Sequence, residues 1–206
     1  MPHSNSIISF PTHLFTSFIM FIISTSISLI QCSRPPTMAP ALAPPTPPLF
    51  HKACCNSCLP LDTELCLRIL ESIPKVVSAK DLDSLAMASI EVGISNSTST
   101  RTHIEATLNG KALDVCKNAH DRVIDQFSAA LQEVKIHLYD DPSLAFLEGS
   151  MDYVEICDKA LAKQKVGEDD VISRGNKAVP IFGLSACGIV RELEDLNNVA
   201  PSPYDY

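Results

Sequence analysis

Between residues 111 and 135, Leu113, Cys116, His120, Val123, Phe127, Ala130 and Val134 return at every third or fourth position. That spacing lines one side of a helix, and twenty-five such residues would span about 37 Å. Tyr139-Asp140-Asp141-Pro142 then interrupts the stripe with an acidic cap and a proline suited to a first helical turn. Leu144, Leu147, Met151, Val154 and Leu161 resume the period, and Phe182, Ala186, Ile189, Leu193 and Leu196 repeat it once more. Upstream, Asp81 is placed to cap a long helix with Leu82, Leu85, Ser89, Val92, Asn96, Ile104 and Leu108 on one face, stopped by Asn109-Gly110. Residues 95–102 of that helix are poor in apolar side chains, and their serines and threonines compete for backbone bonds, so a break there is one reading.

Four amphipathic segments, no strand-like alternation and short connections predict an all-α fold, an up-and-down four-helix bundle. A polar loop over 163–177 would join the last two helices, with Glu168-Asp169-Asp170 in solvent. Ahead of the bundle, residues 52–59 and 62–72 read as a small helical hairpin turning at Pro60 and closed by Pro74. Cys116 and Cys157 flank the central turn nearly symmetrically. In an antiparallel pair they would reach one level, which a disulfide requires.

The first quarter of the chain changes the picture. Residues 14–30 are apolar or hydroxylic without charge, and 34–48 are nearly half proline. We read 1–32 as a signal peptide, although no Lys or Arg precedes its apolar stretch, 33–50 as an extended proline-rich linker, 51–198 as the folded domain and 199–206 as a tail. An uncleaved signal anchor is the alternative for the leader. Secretion would let the eight cysteines oxidise. Removing Cys32 with the leader would leave an odd number, hence at least one thiol without a partner in the monomer. Asn96-Ser97-Thr98 is a glycosylation sequon, with an ordinary polar tripeptide as its plain reading.

A formal charge of −8 argues against a phosphate-backbone ligand and fits a basic partner. His103, His120 and His137 lack metal-protease spacing, and neither a nucleophile elbow nor a phosphate-cradling glycine loop occurs. The chain is therefore expected to carry no catalytic residue, metal or cofactor. Cys55-Asn56-Ser57-Cys58 lacks the βαβ setting of a redox pair, and no second such pair completes a zinc site around Cys54, Cys55, Cys58 and Cys66. A lipid-transfer protein would need a Cys-x-Cys element that is absent. Glu148, Asp152 and Glu155 share one side of the third long helix, either as a solvated face or as an acidic surface for a partner.

Cys58 and Cys66 leading into Leu67-Arg68-Ile69-Leu70, Leu113-x-x-Cys116 followed by Val123, Phe127, Ala130 and Leu131, Glu155-Ile156-Cys157-Asp158, and Leu184-Ser185-Ala186-Cys187-Gly188-Ile189-Val190 occur in that order. Over residues 54–197 this resembles the plant invertase and pectin methylesterase inhibitor family. The resemblance implies a secreted inhibitor in the apoplast, or alternatively the vacuole, acting on pectin methylesterase or invertase. It also implies two bridges, Cys58–Cys66 and Cys116–Cys157. The family's N-terminal pair encloses one more residue than this one, so Cys55 is an alternative partner for Cys66, and Cys54, Cys55 and Cys187 are additional. The third helix and its predecessor are implied contact regions for pectin methylesterase. Invertase inhibitors of the family carry Pro-Lys-Phe where this chain has Pro142-Ser143-Leu144, so only the proline remains. A non-inhibitory extracellular helical protein that binds a ligand or serves structure is the contrasting reading.

Overall fold

The computed structural model describes residues 48–139, 148–164 and 170–199. The leader, most of the linker, the Asp140-Asp141-Pro142 turn and the tail lie outside them. Helix α1 (Leu49–Cys55), α2 (Thr63–Glu71) and the single turn α3 (Pro74–Val77) precede α4 (Leu82–Thr107) and α5 (Gly110–Lys135). A π-helical turn, Glu148–Asp152, runs into α6 (Tyr153–Gln164), and α7 (Asp170–Val199) follows. Among the described residues every regular element is helical. The bundle consists of α4 to α7, with α4 packed against both α5 and α7, and α6 against α5.

Local chemistry sets the ends. The Asp81 carboxylate accepts from the Ser84 amide at 2.7 Å while the Ser84 hydroxyl takes the Asp81 amide, a reciprocal cap on α4. At the far end of α5 the His137 amide donates to Val134 and the Leu138 amide to Glu133, which puts His137 in a left-handed slot at φ 57°. The Tyr139 hydroxyl then donates to the Asp83 carboxylate, tying this turn to the start of α4. Burial, reinforced by that carboxylate, raises the Tyr139 pKa above the usual phenol range.

Helix α4 passes unbroken through residues 95–102, contrary to the break considered from sequence. Thr98, Thr100 and Thr102 return their hydroxyl protons to carbonyls one turn back, at 2.8 to 2.9 Å, so they leave the helical ladder intact. Short side chains also let α7 approach closely: a Cβ on Gly175 would lie 2.1 Å from Thr100 Oγ1. The expected 163–177 loop is shorter as well, because α7 already begins at Asp170. Ile172, Gly175 and Asn176 are buried in the bundle and make that turn helical despite a glycine and Pro180 in its sequence.

Three disulfides join described residues, and the N-terminal pairing differs from Cys58–Cys66. Cys66 pairs with Cys54, Cα to Cα 5.8 Å, and Cys58 pairs with Cys187 on α7, at 5.7 Å. The reason is local. Asp62 caps α2 and starts it at Thr63, which turns Cys66 toward the end of α1. Cys58 lies instead on the loop laid along α7, where its amide donates to the Leu184 carbonyl. Cys116 and Cys157 join α5 to α6 with Cα atoms 4.4 Å apart. No described cysteine is free.

That loop changes the last helix. Residues 181–190 are buried all round, not along one stripe, because the bundle covers one side and the α1–α2 hairpin the other. Lys52 and Glu192 form an ion pair across this junction. Leu196, one turn further, is exposed.

Candidate partner-binding face

Val154 and Cys157 turn the inner side of α6 into the bundle, and the disulfide to Cys116 fixes its height against α5. The outer side is a ridge on which Asp152 and Glu155 are exposed one turn apart, flanked by Met151, 39% exposed, and Ile156, 49% exposed. Glu148 opens the π-helical turn at the head of this ridge. Glu155 pairs with Lys159 at 2.6 Å, both well exposed, so the pair adds little to stability. Pro142, Ser143 and Leu144 lie outside the described residues.

Beside the ridge, α2, α6 and α7 enclose a cleft of about 400 Å³. Leu61, Leu65, Val154 and Pro180 give it an apolar lining, and Asp62, Asp152, Glu155 and Asp158 stand around it, with Lys177 at one side. Sequence reading grouped the acidic residues of α6 but missed the apolar residues from α2 and α7, which only the tertiary fold brings alongside. Nothing in the spacing signals this, since Leu61 and Leu65 lie more than 100 residues before Pro180.

The model of one family, plant invertase/pectin methylesterase inhibitor, matches residues 50–182. The chain belongs to this family. No individual curated protein matches it. Members of the plant invertase/pectin methylesterase inhibitor family are inhibitors rather than enzymes. Among the described residues of this inhibitor-family chain, no cluster of His, Cys, Asp or Glu is arranged to hold a metal. No described helix is long and apolar enough to cross a membrane.

Under the cleft, this member of the inhibitor family carries a polar link across three helices, buried at His120 and Asn176. The Asn176 amide donates to the Asp158 carboxylate at 2.6 Å, which leaves its oxygen to accept from His120 Nε2 at 2.9 Å. His120 is fully buried and its Nδ1 has no partner among the described residues. Burial lowers its pKa, opposed by the Asn176 bond and by the Asp121 and Asp158 charges. The unfolded chain therefore binds a proton near pH 6.5 that the folded chain resists. Stability from this site is complete above that pH and declines as pH falls, by at most about 1.4 kcal/mol per unit. Urea melts between pH 7.5 and 5 should show a shallower decline for His120→Gln than for the unmodified chain; parallel declines would contradict the assignment.

The sequon of this inhibitor-family chain sits inside α4. The Asn96 side-chain amide donates to the Gly175 carbonyl at 3.0 Å, so the nitrogen that would carry a glycan is engaged in a contact between helices.

Proposed function

We propose that this chain is a secreted inhibitor that seats the α6 ridge and its neighbour α5 in the substrate cleft of a cell-wall pectin methylesterase, forming a stoichiometric complex without chemistry of its own. The observation that carries this reading is the juxtaposition of exposed Met151 and Ile156 with Asp152 and Glu155 on a helix immobilised by a disulfide. Apolar side chains bracketing a pair of carboxylates offer both contact area and charge to a protein partner, and a pre-ordered helix limits the entropy lost on binding. Pectin methylesterase is favoured over invertase because Pro142-Ser143-Leu144 lacks the cation and ring of the Pro-Lys-Phe anchor.

Titration of the purified protein against both enzymes at mildly acidic pH should abolish esterase activity at equimolar inhibitor. Absence of binding and inhibition with both would overturn the proposal. Reversing Glu148, Asp152 and Glu155 to Lys should slow association with the esterase on the order of tenfold, with the difference shrinking in high salt. Circular dichroism should be unchanged, and an unaltered association rate would reduce this face to plain solvation.

A further inference from the structure

The exposed ridge of α6 separates two flanks of opposite character. Carboxylates face the cleft toward α2 and α7, whereas lysines face α5. There, the start of α5 and the end of α6 form a second groove of about 440 Å³, with Val115, Ile156 and Ala160 as its floor and Lys111, Lys159 and Lys163 around it. In a chain whose formal charge is −8, the convergence of three cations on one groove needs a cause.

Fold stability does not supply it. Lys111 stands in the first turn of α5, where the helix dipole already presents its positive end and a cation is unfavourable. Lys159 has only the exposed pair with Glu155, and among the described residues no carboxylate pairs with Lys111 or Lys163. Lys163 alone suits its place, in the last turn of α6. Lys159 and Lys163 stand one turn apart, about 6 Å along the axis, so they can address successive anionic groups.

The floor narrows the ligand. A compact inorganic anion has no use for Val115, Ile156 and Ala160, and a nucleic-acid strand would want aromatic stacking surfaces, which the lining lacks. A saccharide that carries carboxylates satisfies both parts: the C–H faces of its rings rest on the aliphatic floor while ammonium groups take the carboxylates. We propose that the groove of Lys111, Lys159 and Lys163 binds a run of free uronates on pectin. This choice of polymer rests on the inhibitor reading. An esterase adds water across the methyl ester, releases methanol and leaves a carboxylate. The groove would distinguish that charged product from the neutral ester and hold the free inhibitor where its target has worked, with Ile156 passing from pectin to the esterase when the complex forms.

The test is calorimetric titration of the full secreted protein with short oligogalacturonates, either de-esterified or fully methyl-esterified. Only the free acid should bind, more weakly as salt rises. Lys111→Gln with Lys163→Gln should lose at least tenfold in that affinity while circular dichroism and the melting temperature stay those of the unmodified chain. Equal binding of the ester and the acid, retained affinity in the double variant, or equally tight binding of polyglutamate would overturn the proposal. Uronate binding without esterase inhibition would instead sink the inhibitor reading and leave the groove standing.

Discussion

Replacing Cys58 by Ser and Cys187 by Ala should destabilise the protein by about 4 to 5 kcal/mol, the largest loss expected from any single bridge. The two cysteines are 129 residues apart, against 41 for Cys116–Cys157 and 12 for Cys54–Cys66. A cross-link restricts the unfolded chain in proportion to the logarithm of the loop it closes, so the order of cost should follow the order of separation. The Cys116–Cys157 bridge already short-circuits part of the long loop, but a logarithm changes little for that. At about 2 to 4 °C per kcal/mol for a chain of this size, the melting temperature should fall by about 10 °C or more. Differential scanning calorimetry of the three paired-cysteine variants checks both the size and the ranking. A loss for Cys58–Cys187 no greater than for Cys54–Cys66 would mean that the hairpin is held to α7 by packing alone.

Cys187 was present in the sequence as one of several additional cysteines, and its role shows where periodicity stops being informative. The stripes of α4 and α5 follow from three- and four-residue spacing because each helix has one wet side, and burial of Leu85, Val123 and Phe127 agrees with it. Residues 181–190 have no wet side, and a uniformly buried helix has no phase to read. The start of α7 was hidden for a related reason, since Gly175 and Pro180 punctuate sequences that usually leave helices. Close contact with Thr100 requires a residue without a Cβ at 175, and tertiary packing outweighs its weak helical propensity. Pairing of Cys58 depended on which face of α7 the hairpin covers, a long-range fact that spacing cannot encode. At the candidate site, Asp152 and Glu155 were legible as helical neighbours. The lysine groove was not, because Lys111 and Lys163 meet only when α5 and α6 pack side by side.

Gly188→Ala should destabilise the protein by about 1 to 2 kcal/mol, opposite in sign to its effect on an isolated helix. Within a helix the change from glycine to alanine ordinarily gains about 0.5 to 1 kcal/mol. Here the new Cβ would lie 1.9 Å from the Asn56 carbonyl oxygen and 2.6 Å from its carbon, both backbone atoms. The Asn56–Ser57 segment has little room to withdraw. Cys54 is bound to Cys66 on one side and Cys58 to Cys187 on the other, and the Cys58 amide holds the Leu184 carbonyl at 3.3 Å. Overpacking against such a braced segment exceeds the propensity gain. The same bracing predicts non-additivity. With Cys58 and Cys187 replaced, the loop can lift away, so Gly188→Ala should then cost less than half as much. Chemical denaturation of the four proteins in this cycle measures the coupling directly. Equal costs in both backgrounds, or a stabilising Gly188→Ala in the intact chain, would show that the hairpin does not lie against α7 in solution.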